Sequence, residues 1–243
     1  MARVVDLNSD VGEGFGAWVG GPDRELMAII TSANIACGFH AGDPSIIRRT
    51  CEMAVENDVV IGAHVSYPDL AGFGRRFIDM KPDELADAVI YQLGALDGCA
   101  RTAGSAISYV KPHGALYNTI VRHEAQAYAV AGAIRVFDAT LPLLGLPGTN
   151  SAIEHAAAEN GLKFCFEGFA DRGYTAEGTL IPRGQPGALL TDGDSAANQA
   201  IDLANRGIVS ICLHSDTPGA AELAPAVAAG LISEGYKLRA FTR

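Results

Sequence analysis

Short apolar runs alternate with longer amphipathic runs along the 243-residue chain. The short runs have the length and composition of buried strands and lie at 4–7, 33–37, 59–63, 107–110, 141–146, 163–166 and 209–213. The longer runs have helical spacing and lie at 23–32, 45–57, 82–102, 122–136, 150–160, 194–206 and 220–234. Alternating strands and helices form parallel sheets, so the pattern predicts an α/β barrel or a doubly wound sheet of about seven units.

Length and composition favour one folded unit. The chain is 49% hydrophobic, and no Ser/Pro-rich linker or run of charge divides it, so we expect a single domain over residues 1–243. The net charge of -10 lacks the basic footprint of a nucleic-acid-binding protein. No apolar run approaches the roughly 20 residues of a membrane helix, and the first residues do not resemble a signal peptide.

Cysteine usage favours a reducing compartment. The chain has five scattered cysteines and no C-x-x-C pair, which argues against a disulfide framework or a zinc knuckle. We therefore expect a cytoplasmic protein that binds neither nucleic acid nor membrane.

The stretch Gly12-Glu13-Gly14-Phe15-Gly16-Ala17 fits the dinucleotide pattern G-x-G-x-x-G/A after the first predicted strand. Its context does not fit, because no helix follows directly and the carboxylates of Asp10 and Glu13 would repel a pyrophosphate. We interpret it as an acidic strand end that supplies oxygens to a site. A glycine-rich turn with solvated acids is the alternative.

Four of the six histidines follow predicted strands directly: His40, His64, His113 and His214. Because the carboxyl ends of parallel strands open onto one face, we expect these residues to converge. His123 and His155 lie in predicted helices, and we assign them to the surface.

Acids and cations accompany the four histidines: Asp43, Asp69, Arg75, Arg76, Lys111, Asp171, Arg172 and Asp216. Single members also have structural interpretations, with Asp43 as a helix cap and Asp171–Arg172 as a local ion pair. Together they favour polar, hydrolytic chemistry, in which a carboxylate beside imidazoles activates water directly or through a divalent metal. Lysine and arginine suit a substrate carboxylate or phosphate.

These segments together resemble the LamB/YcsF family, which supplies the A subunit of the ATP-hydrolysing prokaryotic 5-oxoprolinase. The matching segments are DLNSDVGEGFG, SANIACGFHAGDP, GAHVSYPDLAGFGRR, YVKPHGALYN, EGFADRGY, LIPRG and CLHSDTPGA. The chain departs from the family pattern at Val65 and Ser215, next to site residues. The resemblance implies a distorted seven-stranded (β/α) barrel of the glycoside hydrolase/deacetylase type. It also implies ATP-dependent opening of the 5-oxoproline lactam to L-glutamate, with two partners, the B and C subunits.

The resemblance implies ligand-site roles for Asp10, Glu13, His40, His64, Lys111, His113 and Asp171. The placement of the other acids and cations beside the histidines extends this set. We expect catalytic roles for Asp10, His40, His64, Lys111 and His113. We expect substrate-binding roles for Glu13, Asp43, Asp171, Arg172, His214 and Asp216. In this hypothesis Asp10, with His40 or His64, positions water. Lys111 and Arg172 hold anionic groups, and His113 or His214 protonates the leaving nitrogen. ATP binds either through backbone donors and cations of this chain or mainly on a partner protein.

Two other functions fit the same residues. The first is a metal-dependent deacetylase of N-acetyl sugars, with Asp10, His40 and His64 as metal ligands. The second is a binding subunit whose cavity holds a ligand while partner proteins do the chemistry.

Overall fold

A computed structural model describes residues 3–148, 151–176 and 178–243. The described strands are β1 Arg3–Val11, β2 Ser32–Ala36, β3 Val60–Val65, β4 Ile107–Pro112, β5 Leu143–Gly145, β6 Phe164–Phe169, β7 Ser210–Cys212 and β8 Tyr236–Leu238. The described α-helices are α1 Asp23–Met27, α2 Pro44–Glu56, α3 Pro82–Thr102, α4 Gly114–Thr119, α5 Glu124–Asp138, α6 Ala152–Glu159, α7 Gly193–Asn205 and α8 Ala220–Ser233. A 3₁₀ turn covers Leu70–Gly72.

Strands β1 to β7 close into a parallel barrel, as predicted. They pair in chain order, and β1 pairs with both β2 and β7, which closes the ring. β8 lies outside this ring and pairs with the first residues of β1 through the register Val4↔Lys237. The barrel is uneven, since β4 and β5 share one register pair and β3 shifts register against β4.

Most predicted elements are present, but several differ in extent or were not predicted. The helix predicted at 23–32 ends at Met27, because Thr31 N–H already donates to Leu7 O and β2 begins at Ser32. The sequence pattern did not predict β8 or α4, which have three and six residues. The helix predicted at 150–160 begins at Ala152, and the first predicted position, Asn150, lies outside the described residues.

The helices pack their apolar faces against the outside of the barrel. In α3, Leu85, Val89, Leu93 and Leu96 are completely buried at helical spacing. Burying each such side chain stabilises the fold by about 1.5–3 kcal/mol. This outer layer lets the inner faces of the strands carry polar residues.

The inside of the barrel is polar on one side of β1. Asn8 of β1 donates to Glu167 Oε1 of β6 at 3.0 Å, and Lys111 Nζ of β4 donates to Asp10 Oδ1 of β1 at 2.9 Å. These strands are not neighbours, so the contacts cross the interior. The sequence pattern ended the first strand at residue 7, whereas β1 continues to Val11 because these cross-barrel bonds satisfy its polar side chains.

None of the helices in the described part of the chain is long and apolar enough to cross a membrane. The five cysteines, all among the described residues, are free thiols, as the scattered spacing predicted.

Candidate functional site

Polar side chains from several strand ends meet at the carboxyl end of the barrel. They come from β1 and its loop (Asp10, Glu13), from after β2 (His40), from β3 (His64), from β4 and its end (Lys111, His113), and from after β6 and β7 (Asp171, His214). All eight are buried. The four histidines lie far apart in the sequence, and the parallel topology places them on the same face.

Three imidazoles pack directly on one another. The rings of His40 and His113 stack with centroids 3.8 Å apart, and His64 meets both edge-on at 5.4 and 4.8 Å. Glu13 Oε1 lies 3.0 Å from His40 Nε2 and 3.5 Å from His113 Nδ1. Burial and the neighbouring imidazoles lower the pKa of His40 and of His113 well below the usual value, so both rings are neutral. We call Glu13, His40, His64 and His113 the histidine quartet.

Asp10 is held by its neighbours on both oxygens. Oδ1 accepts from Asn34 Nδ2 at 2.8 Å and from Lys111 Nζ at 2.9 Å, while Oδ2 lies 3.4 Å from His64 Nε2 and 3.9 Å from His214 Nε2. Burial opposes ionisation here, but His64 and Lys111 hold the pKa of Asp10 well below its ordinary value. Asp10 is therefore a fixed anion.

Glu13 behaves in the opposite way. Burial and the nearby charge of Asp10 raise the pKa of Glu13 to about 8. Two carboxylates three residues apart in the sequence thus have different protonation states near neutral pH, a feature typical of functional sites.

Lys111 connects the site to the polar interior. Its ammonium lies 2.9 Å from Asp10 Oδ1, 2.9 Å from Glu167 Oε1 and 3.2 Å from Cys212 Sγ. Glu167 also accepts from Asn8 at 3.0 Å and from Tyr117 at 2.9 Å. We call Asp10, Lys111, Glu167 and Asn8 the lysine cluster. Glu167 lies in the segment EGFADRGY directly after the strand predicted at 163–166, but the sequence pattern assigned it no role.

His214 and Asp171 form a hydrogen-bonded pair. His214 Nδ1 lies 3.0 Å from both carboxylate oxygens of Asp171, which also accepts from the hydroxyl of Thr217. The Asp171–Arg172 ion pair considered from the sequence does not form. Arg172 instead donates to backbone oxygens of Ala188 and Ile181, at 3.1 and 2.8 Å.

Two predicted substrate-binding acids are engaged by other partners. Asp43 caps α2 by accepting from Ser45 N and Ile46 N at 2.8 and 2.9 Å, and its other oxygen accepts from Gly16 N. Asp216 pairs with Arg75 at 2.5 Å and with Arg183 at 3.2 Å. Asp69 is likewise paired with Arg76 beside the 3₁₀ turn.

The remaining positions noted in the sequence have simple structural roles. His123 caps α5, and His155 is exposed on α6. Val65 ends β3, and its carbonyl accepts from His113 N at 2.8 Å, which fixes His113 against His64. Ser215 is buried against Gly21.

A cavity of about 340 Å³ opens beside Asp10 and His214. It has the size of a small-molecule site. Its polar lining includes Asp10, His64, Arg75, Lys111, His113, Arg172, Arg183 and His214. The cavity therefore combines a fixed carboxylate, imidazoles and guanidinium groups.

The described residues contain two groups that could hold a metal ion. The histidine quartet is one, and Asp10, Cys212 and His214 form the other. The metal set predicted from the sequence, Asp10, His40 and His64, is divided between them. Imidazole and carboxylate donors suit zinc and related divalent ions.

The fold and site define a parallel (β/α) barrel with a buried set of imidazoles and carboxylates at the carboxyl ends of its strands. The chain belongs to the LamB/YcsF family, whose model matches residues 5–243. The resemblance noted from the sequence is thus confirmed.

Known proteins similar to this chain agree with that assignment. It is 54% identical to a 5-oxoprolinase A subunit of Kocuria rhizophila, over 98% of this chain and 99% of that protein. It is 40% identical to a lactam utilization protein of Thermus thermophilus, with a TM-score of 0.92 over 98% of this chain and 100% of that one. A family 4 carbohydrate esterase of Streptomyces lividans, 14% identical over 97% of this chain and 91% of that one, shares the fold with a TM-score of 0.51.

Proposed function

We propose that this chain is the A subunit of an ATP-dependent 5-oxoprolinase, which opens the lactam of 5-oxoproline to give L-glutamate. The names of the relatives support the substrate and the assembly with other subunits, which we propose to be B and C. The cavity beside Asp10 and the His214–Asp171 pair carries the hydrolytic part of the proposal. We further propose that residues 1–243 form one domain and that the protein is cytoplasmic.

The proposed site binds a small anionic substrate. The carboxylate of 5-oxoproline needs a cation, and Arg172 lines the cavity while its guanidinium is oriented by the carbonyls of Ala188 and Ile181. Lys111 is almost wholly buried and already contacts Asp10 and Glu167, so we assign it to orienting Asp10 rather than to binding substrate.

Hydrolysis of the ring requires a positioned water and a proton transfer. Asp10 is ionised, and its Oδ2 faces His64 and His214, so it can hold a water beside the lactam carbon. Asp171 accepts from Nδ1 of His214, which leaves Nε2 of a neutral ring as the proton acceptor. In this proposal His214 Nε2 takes a proton from water as the C–O bond forms and returns it to the ring nitrogen as the C–N bond breaks.

ATP supplies the driving force, since a five-membered lactam is a stable amide. Transfer of the terminal phosphoryl group of ATP to the lactam oxygen, with release of ADP, would make the carbon open to attack by water. Ring opening then leaves a carboxyl phosphate, and its hydrolysis by a second water gives glutamate and phosphate. The ATP site belongs either to this chain or to a partner protein, so the test measures each combination.

The test is glutamate release from 5-oxoproline and ATP, for this chain alone and for its mixture with the B and C subunits. We expect release only in the mixture. Asp10→Asn should abolish it while the chain stays folded, and Asp87→Asn, on the exposed face of α3, should not. Full activity of the Asp10→Asn mixture would contradict the catalytic assignment and favour a binding role without catalysis.

Metal-dependent deacetylation stays the second candidate, because the quartet offers buried metal donors. A folded preparation that releases no glutamate in any mixture, and that loses deacetylase activity on chelation, would favour it.

A further inference from the structure

Two imidazole nitrogens in the histidine quartet face each other, and one of them, Nε2 of His64, also lies 3.4 Å from Asp10 Oδ2. Nε2 of His64 lies 3.0 Å from Nδ1 of His113, a hydrogen-bond distance. Which of the two carries a proton follows from the bonds made by the opposite nitrogen of each ring.

Both opposite nitrogens are committed to backbone carbonyls. Nδ1 of His64 lies 2.9 Å from Lys111 O, and Nε2 of His113 lies 2.8 Å from Phe73 O. A carbonyl oxygen only accepts, so each of these nitrogens must carry the hydrogen of its ring. In neutral rings, Nε2 of His64 and Nδ1 of His113 are therefore both lone pairs, pointing at one another.

The other two members of the quartet add donors to the same point. Glu13 Oε1 lies 3.5 Å from His113 Nδ1 and 3.0 Å from His40 Nε2. All four donor atoms lie within 4.8 Å of one another. Nδ1 of His40 is also buried without a hydrogen-bond partner among the described residues. One proton between His64 and His113 would satisfy that pair, and Glu13 and His40 already lie at hydrogen-bond distance from each other.

One metal ion would be a common partner for the four facing donor atoms. Two nitrogens bound tetrahedrally to zinc are about 3.3–3.4 Å apart, close to the 3.0 Å between the nitrogens of His64 and His113 and the 3.5 Å from His113 Nδ1 to Glu13 Oε1. The four donor atoms lie within 4.8 Å of one another, and the stacked rings of His40 and His113 would tilt apart for both to face one ion. Histidine ligands almost always donate their second N–H to a carboxylate, a backbone carbonyl or water, as His64 and His113 do here.

We propose that Glu13, His40, His64 and His113 bind one divalent transition-metal ion, with zinc as the best match to the donors. The ligand set differs from the set predicted from the sequence, because Glu13 and His113 replace Asp10. Asp10 is held instead by Asn34 and Lys111 at the edge of the metal site. The proposal does not depend on the lactam substrate.

The test is metal binding to the full chain after a chelator has removed any bound metal. Calorimetry measures the binding of Zn²⁺, and visible absorption measures the binding of Co²⁺. We expect one ion per chain and a higher Tm in its presence. His113→Gln and Glu13→Gln should each lower the affinity for the metal by at least about 10–100-fold. That is the loss caused by removing a residue that only hydrogen-bonds to a metal ligand. His155→Gln, on the surface of α6, should bind as the unchanged protein does.

A further variant separates the two donor groups. His214→Gln removes a member of the group Asp10, Cys212 and His214 and should leave the affinity within a few-fold. Loss of binding in His214→Gln with retention in folded His113→Gln and Glu13→Gln would overturn the proposal, as would a folded chain that binds neither ion. Because the readout is binding, the outcome is independent of whether glutamate is released.

Discussion

The lysine cluster and the histidine quartet lie side by side and differ in how their polar groups are satisfied. In the lysine cluster, one ammonium lies between two carboxylates, and Asn8 and Tyr117 add hydrogen bonds to Glu167. In the quartet, Nε2 of His64 and Nδ1 of His113 face each other at 3.0 Å, and Nδ1 of His40 has no partner among the described residues. A buried network in which every polar group has a hydrogen-bond partner stabilises the fold. A buried network with an unpartnered group indicates a place where a ligand can bind.

The largest expected effect concerns the complete network. Lys111→Met removes the ammonium of the lysine cluster and leaves Asp10 and Glu167 as buried carboxylates without their shared cation. We expect the free energy of unfolding to fall by about 3–5 kcal/mol. Urea denaturation measures this, with exposed Lys163→Met as the control. A loss below about 1 kcal/mol would mean that the cluster is not an integral part of the fold.

The second prediction addresses the proposed proton transfer. Asp171→Asn keeps the size of the side chain but removes the charge that fixes the tautomer of His214. We expect kcat of the reconstituted enzyme to fall by about a hundredfold to ten-thousandfold, with KM nearly unchanged. Steady-state kinetics beside Asp87→Asn provide the comparison. Unchanged kcat would exclude His214 as the proton carrier in the proposed reaction.

The third prediction uses a carboxylate that has hydrogen bonds but no cation among its described partners. Asp6 accepts from Ser32 and Thr31 at 2.7 and 2.6 Å and from Ser210, and burial raises its pKa to about 6. The unfolded chain releases this proton near pH 3.8, so the folded chain binds more protons between about pH 4 and 6. This group's stabilising contribution is complete below about pH 4 and is lost as the pH rises through about 6.

Through Asp6, the free energy of unfolding should fall by about 3 kcal/mol as the pH rises from about 4 to about 6. Asp23, whose pKa is also raised to about 6, contributes in the same direction. The difference between the parent chain and Asp6→Asn therefore isolates the contribution of Asp6. We expect the stability of the variant to fall less steeply with rising pH than that of the parent chain. Thermal melts from about pH 4 to 7 measure it, and parallel curves for both proteins would contradict the prediction.

The smallest effect concerns Asp43. Its carboxylate caps α2 and ties down Gly16, so Asp43→Ala should lower the Tm by about 2–4 °C. Asp192→Ala, which removes the cap of α7, is the matched control. A large rise in KM for Asp43→Ala would restore the substrate-binding role expected from the sequence.

The sequence predicted the parts of the molecule that depend on local pattern. Apolar runs indicated the seven barrel strands, and histidines at strand ends indicated where a site would form. The three-residue β8 was missed because Tyr236–Leu238 contains a lysine and is too short for a pattern.

The partners within the site could not be predicted in the same way. Glu167 and Asn8 meet across 159 residues of chain, and the polar half of β1 is stable only because such bonds form. The hydrogen positions on His64 and His113 depend on the carbonyls of Lys111 and Phe73, which no side-chain motif reveals. The site is therefore visible in sequence as a set of residues, and its chemistry depends on tertiary hydrogen bonds.

The most direct test of the difference between the two clusters is ¹⁵N NMR of the histidine rings, recorded while Zn²⁺ is added to the metal-free chain. The account predicts that Nδ1–H of His64 and Nε2–H of His113 persist throughout, and that Nε2 of His64 and Nδ1 of His113 shift on binding. Shifts at the opposite nitrogens, or rings that do not respond while zinc binds elsewhere, would contradict it.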